Sequence, residues 1–447
     1  MRKNLLHIIY LWALATTPFA FVQAQQALTL HDAVSIALKN SLGINIGKNQ
    51  VDIATINNNY ATAGGMPVIN GAINDNQQVV SAQQKFTKDS LNRSTHDVGS
   101  NGFSANITGS ILISNGQRVV TAQKRLGVIE KQSQEQLTSR IQAVAVNVMV
   151  RYYDIIRQES YAKVLRQSIA ASQQKLDIVK AQQNVGLANN ADLYQAQVDL
   201  NTQIQLLQAQ QASIAQDKTD LLYLLTLNTR PAEDSAVTVA DTSIVIDNAV
   251  NLDSVLNNVT THPDILAAQY QVQITQYLVK EIGAQRYPSI SASAGFNYTR
   301  NQATSGISPF SPILNLQHGP FAGINVSIPI FNGGVYRRQQ EVAEINMRNA
   351  MLQKDTLING YKSNVIKNWE AYTSAILQFE TAKENYQTSQ KLLDLVLQKF
   401  KLHQATIIDV KTAQQSFENA ANLMINISFT GKIAELQLKR YGNMLVY

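Results

Sequence analysis

Residues 141–192 read IQAVAVNVMVRYYDIIRQESYAKVLRQSIAASQQKLDIVKAQQNVGLANNAD. Apolar side chains fall at Ile141, Val144, Val148, Tyr152 and Ile155, and again at Leu165, Ile169, Leu176 and Val179. Steps of three, four or seven are the 3.5-residue seam of a coiled coil. The same polar, Gln-rich and Ala-rich register begins at Gln117 and meets no proline before Val185, where Gly186-Leu187-Ala188-Asn189-Asn190-Ala191-Asp192 marks a turn. The spacing predicts one helix from Gln117 to Val185, roughly 100 Å long at 1.5 Å per residue. An ordinary globular domain cannot cover such a helix, so the chain must form an extended rod.

Upstream, Met1-Arg2-Lys3 precedes an apolar run from Leu5 to Phe21 and the small-residue stretch Val22-Gln23-Ala24. This pattern predicts a secretory signal peptide over 1–24. No later segment offers the ~20 apolar residues of a membrane helix, so any entry into a bilayer must use strands. The sequence has no cysteine, which leaves neither a lipid-anchoring thiol nor disulfides. Formal net charge is +6, or +4 without Arg2 and Lys3, with no basic block interleaved with aromatics. That argues against nucleic acid as a partner. The remaining histidines (His31, His96, His262, His318, His403) lack metal-ligand spacing, and neither a phosphate loop nor a nucleophile elbow is present. An enzyme with a cofactor is therefore not indicated.

In chain order, Leu28 to Ala63 reads as a helix opening near Thr29 and stopped by Gly64-Gly65-Met66-Pro67. Phe103 to Ile113 alternates as a strand, and Val68 to Asn74 reads as another although Ile69 and Ile73 face one way and Val68 and Ala72 the other, with the polar stretch Asp75 to Asn101 expected as an exposed loop. The long helix follows, then a second from about Ala191 to Leu227, then a connector through Val250. From Asn251 the pattern restarts with a helix to Gln285, strands at Pro288 to Thr299 and Ala322 to Ile330, and a second exposed loop at Arg300 to Gly319. Asn115 and Asn332, Gly186 and His403, and Asp192 and Asp409 are each 217 residues apart. The chain is a duplication of one helix, hairpin, helix, helix unit. The two shorter helices of each unit together match the long one in length, so they are expected to stack end to end along it.

Each strand pairs an apolar face of Ile, Val, Phe and Ala with a polar face of Ser, Asn and Thr, the pattern of a barrel with lipid outside and water inside. Phe103, Phe296, Tyr298, Phe321 and Phe331 are placed for an aromatic girdle. Four strands cannot close a barrel alone, so copies must assemble. Arg118, Lys124, Arg125, Arg337 and Arg338 are expected as a solvated face at the barrel base, near lipid headgroup phosphates.

The doubled motif of Asn184-Val185-Gly186-Leu187 with Asp192 and Ala196-Gln197, echoed by Asp409 with Ala413-Gln414, resembles the TolC-like outer-membrane efflux and secretion ducts. So do Tyr287-Pro288-Ser289-Ile290 and Ile328-Pro329-Ile330-Phe331-Asn332-Gly333-Gly334. The likeness runs from about Leu28 to Gly442. It implies a mainly α fold with a small β part, in which duplicated coiled-coil helices form a periplasmic α-barrel. Four strands per chain would contribute to a trimeric 12-stranded barrel in the outer membrane of a Gram-negative bacterium. On that reading 28–65, 117–228, 251–286 and 334–441 are tunnel, 66–116 and 287–333 are barrel hairpins, and 229–250 and 442–447 are the equatorial connector and C-terminus. The implied function is a passive exit duct of a tripartite efflux pump or type I secretion system. Its implied partners are a periplasmic adaptor (membrane fusion protein) and an inner-membrane transporter of RND, ABC or MFS type.

The resemblance also marks the turns after the long helices as a periplasmic tip, where acidic and aromatic residues restrict the entrance. Here they correspond to Asp192, Asp409 and Phe400, with Gly186, Asn189, Asn190 and His403 shaping the turns. The chain departs from the family pattern at His403 (glycine), Leu112 (proline) and Thr412 (an acid in some relatives). A second role stands beside the gate: Asn189 and Thr406 precede Asp192 and Asp409 by three positions, the spacing of a helix cap. The rival architecture is a periplasmic coiled-coil adaptor or structural rod, which needs only one helical hairpin.

Overall fold

The computed structural model describes residues 27–227, 238–306 and 312–446. The expected signal segment and residues 228–237 of the connector lie outside them. Helices α1 (Leu30–Asn40) and α2 (Leu42–Asn57) lead to strands β1 (Val68–Gln84) and β2 (Arg93–Ser114), then to α3 (Arg118–Asn184) and α4 (Asn190–Leu224). The second unit repeats this as α5 (Leu252–Asn258), α6 (Pro263–Gly283), β3 (Ser289–Ala303), β4 (Leu314–Ser327), α7 (Val335–Lys401) and α8 (Ile407–Tyr441).

The long helices α3 and α7 are each 67 residues. They start alike: Gly116 and Gln117 have φ of 64° and 67°, and Gly333 and Gly334 have 64° and 77°. These left-handed pairs turn the chain from strand into helix, a conformation glycine adopts without strain. The expected single helix over Leu28 to Ala63 is two. Ser41 leaves the helical region, with ψ of 117°, and its Oγ accepts from the Ile44 amide, ending α1 and capping α2. His262 makes the same break in the second unit, its Nδ1 accepting from the Asp264 amide ahead of Pro263 at the first helical position.

Shorter helices meet end to end over the middle of each long one. Ala33, Val34 and Ala37 of α1 join Leu221, Leu222 and Leu225 at the end of α4, against Val148, Tyr152 and Ile155 of α3. In the second unit Val255 and Val259 meet Ala434 and Leu438 against Val365 and Tyr372. The connector is clasped there: the Tyr152 hydroxyl lies 2.9 Å from the Asp241 carboxylate and the Tyr372 hydroxyl bonds the Asp247 carbonyl.

All four strands form one antiparallel sheet in the order β1-β2-β3-β4. Its apolar face carries Ile69, Ile73, Ile107, Ala294, Phe296 and Ile324, and its polar face Asn70, Ser104, Asn106, Asn297 and Asn325. The stretch Asp75 to Asn101 is not the loop the sequence suggested, since strands run to Gln84 and resume at Arg93. Neither face of that ribbon is apolar, so it lacks alternation, and the pairing rests on backbone ladders and polar cross-strand bonds such as Asn101 to Asp75. Likewise β3 and β4 take up half of the expected loop Arg300 to Gly319, of which residues 307–311 lie outside the described ones. β4 ends at Ser327, so Ile328 and Ile330 lie beyond the ladder around Pro329, which cannot donate to it.

The proposed girdle is only partly assembled. Phe103 packs edge-on against Tyr298 at 6.0 Å and Phe296 stacks on His318 at 6.4 Å, both on the apolar face. Phe321 instead pairs with Gly295 on the polar face, where glycine leaves room for its ring. Of the basic cluster, Arg125 is paired with Glu281 at 2.8 Å and Arg337 with Glu341 at 2.9 Å. Among the described residues no helix is long and apolar enough to cross a membrane.

Candidate functional site: the paired helical tips

Both tips use one local design. At the end of α3, Gly186 has φ of 78°, and the Leu187 amide reaches back to the Gln182 carbonyl at 2.8 Å. At the end of α7, His403 has φ of 58°, and the Gln404 amide reaches the Lys399 carbonyl at 2.8 Å. Each is a Schellman closure that satisfies the last helical carbonyls. His403 therefore keeps the shape that glycine gives the first turn, but a side chain in the left-handed region costs about 1–2 kcal/mol. We expect His403→Gly to slow amide exchange over 399–409. Faster exchange would mean that the Gln182 contact to the imidazole, 3.2 Å from Nδ1, outweighs the strain.

The following helices open with reciprocal capping boxes. The Asn189 side chain accepts from the Asp192 amide at 2.8 Å while Asp192 accepts from the Asn189 amide at 3.4 Å. Thr406 and Asp409 repeat this at 3.2 and 2.7 Å. The Thr406 backbone amide and then its hydroxyl hold the exposed Asp409 carboxyl below the usual carboxylate range. That contribution to the cap is complete at neutral pH and is lost as pH falls through the lowered value. Asn190 accepts from the Gln183 side chain, tying the turn to the preceding helix.

Phe400 does not project from the tip. It is buried with Leu176, Val179, Leu200, Leu397 and Phe417 in a core shared by both hairpins. Its carbonyl accepts from Gln182 at 3.4 Å, so the two turns of one chain sit side by side.

Above the tips lies a polar core the sequence did not reveal. Lys175 is fully buried with its ammonium 2.5 Å from Asp199, and Lys411 of the other hairpin approaches Asp199 at 3.4 Å. Burial raises the Asp199 carboxyl, but the hydrogen bonds from Lys175 and the Gln195 amide outweigh it and hold the group below its ordinary value. Gln414, from the repeated Ala-Gln motif, is buried and donates to the Ser172 hydroxyl at 3.1 Å, joining α8 to α3. No periodicity marks Lys175. The available signal was the duplication, which aligns Lys175 with Leu392 and Asp199 with Ser416.

The geometry is thus a sheet with two unpaired edges, two long helical hairpins and a double tip. Residues 33–226 and 257–443 match the outer membrane efflux protein family. The chain belongs to that family. Similar relatives include the outer membrane efflux protein BepC of Brucella suis, 22% identical over 392 residues, covering 88% of this chain and 80% of that protein. The outer membrane protein TolC of Vibrio cholerae is 21% identical over 328 residues, covering 72% and 71%. In fold, the chain matches the CmeC outer membrane channel of Campylobacter jejuni with a TM-score of 0.76 at 16% identity, covering 92% of this chain and 85% of that one. This efflux protein is an outer-membrane duct that extends into the periplasm. The adaptor or rod architecture is not favoured, because two complete helical hairpins and an amphipathic four-stranded sheet are present.

Proposed function

We propose that three copies close a 12-stranded barrel in the outer membrane and continue it as a passive helical tunnel. The observation that carries this is the open sheet, apolar on one face and polar on the other, with β1 and β4 left as edges. Such edges in a bilayer must be paired. Residues 1–24 are removed on export. The tips meet a periplasmic adaptor and, through it, an inner-membrane pump of RND, ABC or MFS type that supplies the energy and selects the cargo. Outer-membrane fractionation with chemical cross-linking tests the assembly, and a soluble monomeric periplasmic product would refute it. Protease added to intact cells is expected to cut near residues 85–92, the turn joining β1 to β2.

The tip is the entrance. Asp192 and Asp409 supply acidic rings there while capping their helices, and Phe400 packs the wall behind them. Asp192→Ala combined with Asp409→Ala is expected to raise single-channel conductance in planar bilayers. Unchanged conductance in an intact trimer would leave these residues the capping role alone.

A further inference from the structure

The duplication carries information about a contact that a single chain cannot display. From β2 to α8 the two units are offset by 217 residues, and from Ser41 to Val68 by 221, since Ser41 and Pro67 correspond to His262 and Pro288. The hairpins obey both offsets: Val68 pairs with Ser110, and their counterparts Ser289 and Ser327 pair with each other. Unit one packs on unit two within the chain, along α3 with α6 and α8. The other flank of unit two, along α7 and β4, is left bare, as is the outer flank of α2, α4 and β1.

The bare flank is apolar where its internal counterpart is sealed. Ile46 and Ile53 of α2 are 54% and 58% exposed, whereas the corresponding Ala267 and Ile274 of α6, covered by the internal seam, are 6% and 9%. Two ion pairs bridge the internal seam, Arg125 with Glu281 and Asp199 with Lys411. Neither has a charged counterpart. Arg125 and Glu281 correspond to Val342 and Tyr60; Lys411 corresponds to Tyr194, Asp199 to Ser416 and its partner Lys175 to Leu392. Val342, Tyr60, Tyr194 and Leu392 are all exposed in the single chain.

We infer that a second copy of this chain covers that flank through an apolar, tyrosine-sealed seam, with Tyr60 against Val342 and Tyr194 against Ser416 beside Leu392, in a strand register fixed by the duplication. Internally Thr108 pairs with Gly295, so Asn325 of one copy faces Asn74 of the next. Ionic bridges serve inside the chain, where the units are already tethered. Between copies, burial of apolar surface and tyrosine rings supplies the association. The inference rests on the assembly proposed above.

The test uses the full chain extracted in mild detergent. Because the protein has no cysteine, Asn325→Cys with Asn74→Cys should give a covalent trimer on oxidation, since directly opposed residues lie within disulfide reach. Asn325→Cys with Asn76→Cys, off by one pair, should not. Raising salt from about 0.1 to 1 M, which shortens the screening length from about 10 to 3 Å, should leave the trimer's dissociation temperature unchanged. Tyr60→Glu should lower the trimer fraction by about tenfold or more, each seam then burying an unpaired carboxylate. Adding Val342→Arg should restore the trimer and make it salt-sensitive, and far-UV circular dichroism of each variant confirms that the helices persist. Cross-linking only in the Asn76 pairing, a salt-labile wild-type trimer, or no rescue by Val342→Arg overturns the seam while leaving the assembly standing. A wild-type monomer overturns both.

Discussion

Asp199→Asn is expected to lower stability at neutral pH by about 3 kcal/mol, because it leaves the buried Lys175 ammonium without a counter-charge. The double change Lys175→Leu with Asp199→Ser, which installs what the second unit already holds at Leu392 and Ser416, is expected to be neutral or stabilising. Replacing a buried pair by apolar groups of similar size removes the desolvation cost together with the attraction. Lys411→Ala should matter far less, since that lysine is half exposed and its contact is screened. Thermal melts of helical signal, with hydrogen exchange over 175–200, measure all three. Equal damage from the single and double changes would mean the pair supplies geometry rather than charge balance. Acid should mimic Asp199→Asn: the carboxyl ionises more readily folded than unfolded, so its contribution holds at neutral pH and disappears as pH falls through the lowered value.

Gly295→Ala is expected to abolish barrel assembly, whereas Gly319→Ala and Gly323→Ala should be tolerated. A β-carbon at 295 would lie 2.2 Å from the Ile107 carbonyl oxygen and 2.9 Å from the Phe321 ring, while 319 and 323 face open space. The ring can turn aside but the neighbouring backbone cannot, so strands β2 and β3 must part. Overpacking of this kind costs about 3 kcal/mol. Adding Phe321→Ala should therefore fail to rescue Gly295→Ala. Rescue would place the constraint in the ring and not in the ladder. Heat-modifiable trimer bands and outer-membrane yield report the outcome.

The features legible in the sequence were those written in a period or a cap. Absence of proline and the heptad seam gave both long helices, Asn-Gly pairs marked where strands become helices, and Asn189 and Thr406 announced their capping boxes. Strand ends were illegible where pairing relies on backbone alone: Gln77 to Gln84 has no apolar face to register. The break at Ser41 was missed because a serine inside an apolar stripe reads as an ordinary helical position until its hydroxyl is seen capping. Phe321 misled because aromatic identity does not tell which face of a strand it occupies. At the tip, spacing identified Asp192 and Asp409 as cap partners, and the family resemblance marked them, with Phe400, as gate residues. Spacing could not show that Phe400 points inward or that Lys175 is buried, since both follow from how four helices meet.

The equal length of α3 and α7 has a consequence for how such a chain can change. Because Gln182 of one tip bonds the other tip, the two helices act as the arms of a caliper, and lengthening one alone would pull the jaws out of line. Insertions in the arms must come in matched pairs, whereas the outer hairpins are free to drift. The four residues by which the units differ in spacing fall between Val68 and Asn115, in the first hairpin, and none lies in an arm.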